Sequence, residues 1–233
     1  MKTRSFFGSL LLLAVVAAAM GGCAAVNPTI ATLDKAKTLS AEGRYAAAAD
    51  LDFDCTEADE GCGQLYLITG DACYRLARAA DAAGRKEAAK NRYACTADRL
   101  EAGIARTTEW ASTDVRARYY ENLCEALRNW QDLESGESAR IITRRLSAAS
   151  ERFLAQHPGH RAAVYFWVSA RFSAAAPELL DPTDPEKLCG LLNQMIRDLE
   201  ERSGQAGGTR YEENHRRLLI DIKGAKQTVA GCR

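Results

Sequence analysis

Between Leu65 and Ile104, apolar residues recur every three or four positions on either side of one glycine, and that spacing leaves the chain little choice of fold. Leu65, Ile68 or Thr69, Ala72, Leu76, Ala79 or Ala80, and Ala83 fall on one helical face. After "AAGRKEAAK" turns at Gly84, Ala89, Tyr93, Ala97, Leu100 and Ile104 form the answering face. A period of about 3.6 residues gathers such positions into one stripe, and each stripe must be covered by another element. Two stripes joined by so short a turn fold back antiparallel. The same period continues through Val115, Tyr119, Leu123, Ala126 or Leu127, Trp130 and Leu133, and then through Ile142, Leu146, Ala149 and Phe153. Leu188, Leu191 or Leu192, Met195 and Leu199 follow Asp184 and Pro185, a cap and a first-turn proline. Tyr211, Leu218, Leu219 and Ile222 mark a last helix over 210–222, bent or ended at Gly224. Weaker stripes predict helices over 29–42 and from Tyr45 towards Cys55. β-branched residues never alternate along a run, so strands are not expected.

The expected fold is therefore all-α, with about nine helices. The segment 161–176 differs from the others: "AVYFWVSARF" is apolar on every face, which predicts a central helix. "AEGRYAAAA" from Ala41 and "AAGRKEAAK" from Ala82 share a Gly-Arg turn followed by alanines. Small residues there let antiparallel helices approach closely. The pairing resembles a degenerate tetratricopeptide repeat, and the architecture is either such an array or a compact helical bundle.

Eight cysteines occur, and seven lie beyond Cys23. Cys73 and Cys95 each stand eleven residues from Gly84, as a bridge between antiparallel helices requires, although Cys95 lies off the apolar stripe of its helix. Cys55 and Cys62 flank an acidic turn that a disulfide could staple, and Cys189 could hold Cys232. The alternative is that these are free thiols packed as ordinary small hydrophobes.

Motifs for catalysis are lacking. His157 and His160 flank a Pro-Gly turn without a third metal ligand at suitable spacing, and His215 in "YEENHRR" reads as a solvated helix face. Asp50, Asp52 and Asp54 mimic the start of a calcium loop, but Cys55 and Gly61 stand where that loop needs glycine and glutamate. No phosphate-cradling or nucleophile-elbow motif occurs, so no enzymatic activity and no cofactor are expected. The formal net charge is zero and no basic block is present, which argues against nucleic acid as a partner. What stands out is ring area: Tyr165, Phe166, Trp167 and Phe172, with Tyr119 and Trp130 expected to face them. Those rings form either a filled core or the lining of a cavity for an apolar ligand.

Residues 1–22 carry Lys2 and Arg4, an apolar run from Phe6 to Ala19, and a small-residue exit. At 1.5 Å per residue that run spans about 21 Å, short of a hydrocarbon core of about 30 Å, so it reads as an export signal. Met20-Gly21-Gly22-Cys23 resembles the lipobox of bacterial lipoproteins. That resemblance implies cleavage before Cys23 and its lipidation, a tether over 23–28, and a helical domain over 29–233. Ala24 in place of aspartate implies sorting to the periplasmic side of the outer membrane.

Two lipoprotein groups are similar in layout. The Gly43-Arg44 and Gly84-Arg85 turns, "FLAQHPGHRAAVYFWVSA" from Phe153, and the Gly207-Gly208 pair resemble the tetratricopeptide-like T-components of tripartite periplasmic transporters. The aromatic helix and neutral charge are also similar to the outer-membrane-associated lipoprotein of bacterial sterol transport systems. That second likeness implies transfer of a sterol or other apolar lipid, with a periplasmic binding protein and envelope transport components as partners. The rival expectation is a repeat scaffold that holds a protein partner. No convergence of the many arginines is evident from their spacing.

Overall fold

The computed structural model describes residues 28–56, 59, 61–206 and 208–232, and these residues form an all-α bundle. The helices are α1 (Pro28–Ala41), α2 (Tyr45–Ala49), α3 (Cys62–Ala82), α4 (Lys86–Arg106), α5 (Thr113–Asp132), α6 (Gly136–Gln156), α7 (Ala163–Leu180), α8 (Pro185–Ala206) and α9 (Glu212–Thr228). The signal over 1–22, Cys23 and most of the tether lie outside the described residues.

Each helix packs on the next in sequence, and α3 on α4 is the most extensive pairing. A second series of contacts joins α1 to α3, α3 to α5, α5 to α7, and α7 to α9. Among the described residues the even-numbered helices do not pack against one another in this way, although Arg145 on α6 reaches Asp98 at 2.7 Å and Glu101 at 2.9 Å on α4. The odd-numbered helices thus form one continuous layer, and each even-numbered helix backs onto the two odd ones beside it.

The first two hairpins close with the same backbone geometry. Gly43 and Gly84 adopt φ of 72° and 69°. The following amides, Arg44 and Arg85, bond to Leu39 and Ala80 oxygens, each at 2.9 Å. A left-handed residue is needed to turn the amide back onto the last helical carbonyls, and only glycine adopts it without a Cβ clash. Beyond the second turn, α3 and α4 approach until their glycines are filled by the partner. A Cβ at Gly103 would stand 2.9 Å from the Leu67 backbone nitrogen, and one at Gly70 would stand 2.7 Å from Leu100 Cδ2.

The α7 helix lies between two cores, as its all-round apolar sequence predicts. Phe166 and Ala170 join Tyr120, Leu123, Leu127, Leu146 and Phe153 in the core of α4–α7. Val164 and Val168 join Leu188, Leu192, Met195, Leu199 and Ile222 in the core of α7–α9. Tyr120 and Phe153 stack with their ring centres 5.6 Å apart. Burying each such side chain contributes about 1.5–3 kcal/mol, and their number in these two cores outweighs any single polar contact.

Two elements end elsewhere than their sequence suggests. The α2 helix stops at Ala49 instead of continuing towards Cys55. Phe53 folds onto Tyr66 at 5.1 Å, and Asp50 is drawn to Arg92 at 2.8 Å. The α9 helix runs through Gly224 to Thr228. An exposed helical glycine costs only about 1 kcal/mol, and the segment beyond it is tied down by Val229 and Cys232 in the α7–α9 core.

Disulfides join Cys55 to Cys62, Cys73 to Cys95 and Cys189 to Cys232. Cys124 is unpaired and buried, and burial pushes its thiol pKa well up, which leaves it inert. Among the described residues no helix is long and apolar enough to cross a membrane.

Candidate functional site: a charged groove on the odd-numbered helices

The six rings singled out from the sequence do not surround one space. Tyr165 and Phe166 lie 5.0 Å apart at the inner end of α7 and meet Tyr211 at 5.9 and 5.8 Å. Trp167, on the next face of the helix, packs towards α8 with Phe172 and is covered by the Arg171 guanidinium at 4.4 Å. Tyr119 leans on Trp110 at 6.0 Å. Trp130 donates its ring N–H to Glu134 and lies beneath Arg145. Successive residues on a helix diverge by about 100°, so Tyr165, Phe166 and Trp167 could not all face one cavity.

What the odd-numbered layer brings together is charge. Three adjoining cavities share Arg210 as a wall. The first, about 150 Å³, lies among Arg78, Glu125, Arg128, Tyr165, Phe166 and Tyr211. The second, about 470 Å³, lies among Asp71, Tyr74, Arg75, Arg78, Arg118, Glu121 and Asn122. The third, about 360 Å³, reaches His160 and Arg161 in the turn before α7. The first two are lined from α3, α5, α7, α9 and the turn before α9, with nothing from the even-numbered helices.

The α5 helix organises the groove. Arg118, Glu121, Glu125, Arg128 and Asp132 recur at three- and four-residue steps, opposite the stripe of Tyr120, Leu123, Cys124 and Leu127 that enters the core. Glu121 accepts from Arg210 and, at 2.7 Å, from the Tyr211 hydroxyl. Its other oxygen is 3.7 Å from His160. Glu125 spans to Arg78 at 3.5 Å and to Arg210 at 3.0 Å. Arg128 pairs with Asp132 and donates to Ser169 on α7 at 3.1 Å. Asp71 on α3 holds Arg75 at 2.9 Å and Asn122 at 3.0 Å. These links tie α5 to α3, to α7 and to the turn before α9, in three sets that lie side by side along the groove.

Burial and the neighbouring glutamates hold the Tyr211 phenol far above its ordinary pKa. Burial, then Glu125, pushes Tyr74 up to about 12. Both hydroxyls are therefore proton donors across the physiological range.

His215 corrects its sequence reading as a solvated residue. It is buried against the Tyr165 ring, with Nε2 3.4 Å from the Arg161 carbonyl, because α9 rotates that side towards α7. His157 is buried as well, between Tyr120 and Phe153. Burial lowers the pKa of both imidazoles. Among the described residues no group of three or more His, Cys, Asp or Glu stands close enough to hold a metal ion.

Sequence spacing missed the arginines of the groove. The one available signal was the charged stripe on α5, and the spacing could not show that Arg75, Arg78 and Arg210 would face it. Neither a family model nor a curated protein matches the chain.

Proposed function

We propose that this chain is a non-enzymatic scaffold of the bacterial envelope: a lipoprotein anchored through Cys23 whose odd-numbered helices dock a protein partner. The observation that carries the reading is the contact pattern. Odd-to-odd contacts, each backed by an even-numbered helix, are what a tetratricopeptide-like array makes, and such arrays use one helix layer as an extended binding surface. That layer bears the open, charged groove. The lipobox-like Met20-Gly21-Gly22-Cys23 supports the anchor, and with Ala24 the outer membrane.

Transfer of a sterol or another apolar lipid, with a periplasmic binding protein and envelope transport components as partners, has less support. A pocket for such a ligand encloses about 300–1,000 Å³ of mostly apolar space. The cavity beside Tyr165 and Phe166 is about 150 Å³ and is walled by Arg78, Glu125 and Arg128.

Site-specific photo-crosslinking separates the two layers. A benzoylphenylalanine at Asn214, exposed on the groove, should crosslink to a discrete protein in the outer-membrane fraction of the native host. The same group at Arg144, exposed on α6, should not. Equal crosslinking from both positions, or none from Asn214, would overturn the docking role.

A further inference from the structure

The three disulfides differ in what else holds their cysteines together, and that difference is independent of the docking reading above. Cys73 and Cys95 both lie inside long helices, α3 and α4, whose packing keeps them adjacent with or without a bond. Cys62 opens α3, and Cys55 stands only 7 positions before it. The segment carrying Cys55 is pinned twice more: Phe53 folds onto Tyr66 at 5.1 Å, and the Thr56 amide donates to Asp59 at 2.9 Å.

The third bridge has no such support. Cys189 lies on α8, but Cys232 lies beyond the end of α9 at Thr228, on a non-helical strap over 229–232. A sequence separation of 43 leaves no short chain link between the two sulfurs. Within the strap the backbone makes turn bonds from Val229 to the Lys226 oxygen and from Cys232 to the Val229 oxygen, each at 3.2 Å. Its remaining hold is the burial of Val229 and Cys232 at the edge of the α7–α9 core.

A dithiol recloses according to the effective concentration of each thiol about the other, and a thiol on a short irregular segment supplies less than one fixed in a packed helix. The less the fold itself holds two thiols together, the more readily their disulfide is reduced. Each bridge has one half-buried cysteine, so exposure alone does not separate them. Cys189, however, lines an open cavity of about 840 Å³. One wall is the start of α8, with residues 183–186, Gly190 and Asn193, and the other is the strap itself, through Ala230 and Gly231. An incoming thiol therefore has a path to the Cys189 sulfur.

We propose that the Cys189–Cys232 bridge is a redox latch: a dithiol protein of the thioredoxin-like class reaches Cys189 through this cavity, opens the bridge and frees the strap from the α7–α9 core. One thiolate of the reductant attacks the Cys189 sulfur, and the sulfur–sulfur bond breaks with Cys232 leaving as a thiolate that takes up a proton. The second thiolate of the reductant then attacks its own sulfur in the mixed disulfide and expels Cys189, which is protonated in turn. Two electrons pass to the bridge, and the reductant ends as a disulfide.

The test treats the oxidised full chain, purified in detergent, with dithiothreitol and with reduced thioredoxin, and follows each cysteine by alkylation and mass spectrometry. Cys189 and Cys232 should become alkylated at least about tenfold faster than the other two pairs, as a labile bridge requires. Cys124, buried in the α4–α7 core, should stay unmodified throughout. Amide exchange over 229–232 should rise once the bridge is open, while exchange in α7 and α8 stays as it was. Gly190→Leu puts a side chain into the cavity from a position where a Cβ meets nothing within 4 Å, and should slow thioredoxin more than dithiothreitol. Opening of either other bridge first or equally fast would overturn the latch. So would alkylation of Cys124 in step with Cys189, or a strap whose exchange reduction leaves unchanged. Equal rates of slowing for the two reductants in Gly190→Leu, or no slowing of either, would overturn the route through the cavity.

Discussion

Adding one methyl group to a helical glycine should have opposite effects at two positions of this chain. At Gly190 on α8 a new Cβ meets nothing within 4 Å. Gly190→Ala should therefore gain only the helix preference of alanine, about 0.8–1 kcal/mol. At Gly103 the same methyl stands 2.9 Å from Leu67 Cγ, Cδ2 and backbone nitrogen together. The two side-chain atoms can rotate away, but the nitrogen moves only if α3 and α4 separate. Overpacking of this kind costs about 1–3 kcal/mol, and a backbone clash belongs in the upper half of that range. After the helix preference is offset, Gly103→Ala should lose about 1–2 kcal/mol. At about 2–4 °C per kcal/mol for a chain of this size, Gly103→Ala should melt about 2–8 °C lower and Gly190→Ala about 2–4 °C higher. Thermal melts followed by far-ultraviolet circular dichroism, with urea titrations beside them, measure both. A Gly103→Ala protein as stable as Gly190→Ala would mean that α3 and α4 do not approach at Gly103, and the packing argument for this hairpin would fail.

Two further outcomes follow from the covalent and titratable groups. The Cys73–Cys95 bridge closes a sequence separation of 22, so replacing both cysteines with alanine should cost about 3 kcal/mol by loop-closure entropy, an expected fall of about 6–12 °C in melting temperature; an unchanged melt under oxidising conditions would contradict the bridge. Burial holds the pKa values of His157 and His215 below the ordinary 6.5 in the folded protein, so below that pH the unfolded chain binds more protons, and stability present above about pH 6.5 is lost as pH falls towards the folded values. Urea midpoints should therefore decline from pH 7.5 to pH 5, and His215→Gln should flatten that decline; a midpoint that rises on acidification would refute the burial of these imidazoles.

Much of the fold was legible in the order of residues. The stripes on α3 to α6 and on α8, the Gly43 and Gly84 turns, and the Asp184–Pro185 start all act within a few positions of one another, where helical geometry converts spacing directly into direction. The Asp184 carboxylate does accept from the Lys187 amide at 3.0 Å. The end of α2 was not legible, because Phe53 and Asp50 are drawn away by Tyr66 and Arg92, partners from other helices.

The groove was hidden for a stronger form of the same reason. Glu121 and Arg210 stand 89 positions apart, and Asn122 and Asp71 stand 51 apart. Charged residues on an isolated helix read as a solvated face, and His215 was misread in the same way. By itself the sequence determined the helical class, the turn positions and the central place of α7, because each follows from local periodicity or local composition. Only the packing of α3, α5, α7 and α9 into one layer decided which arginines converge and which rings part company. Those outcomes depend on how helices are rotated and stacked across long separations, and the spacing of residues along one helix carries no information about that.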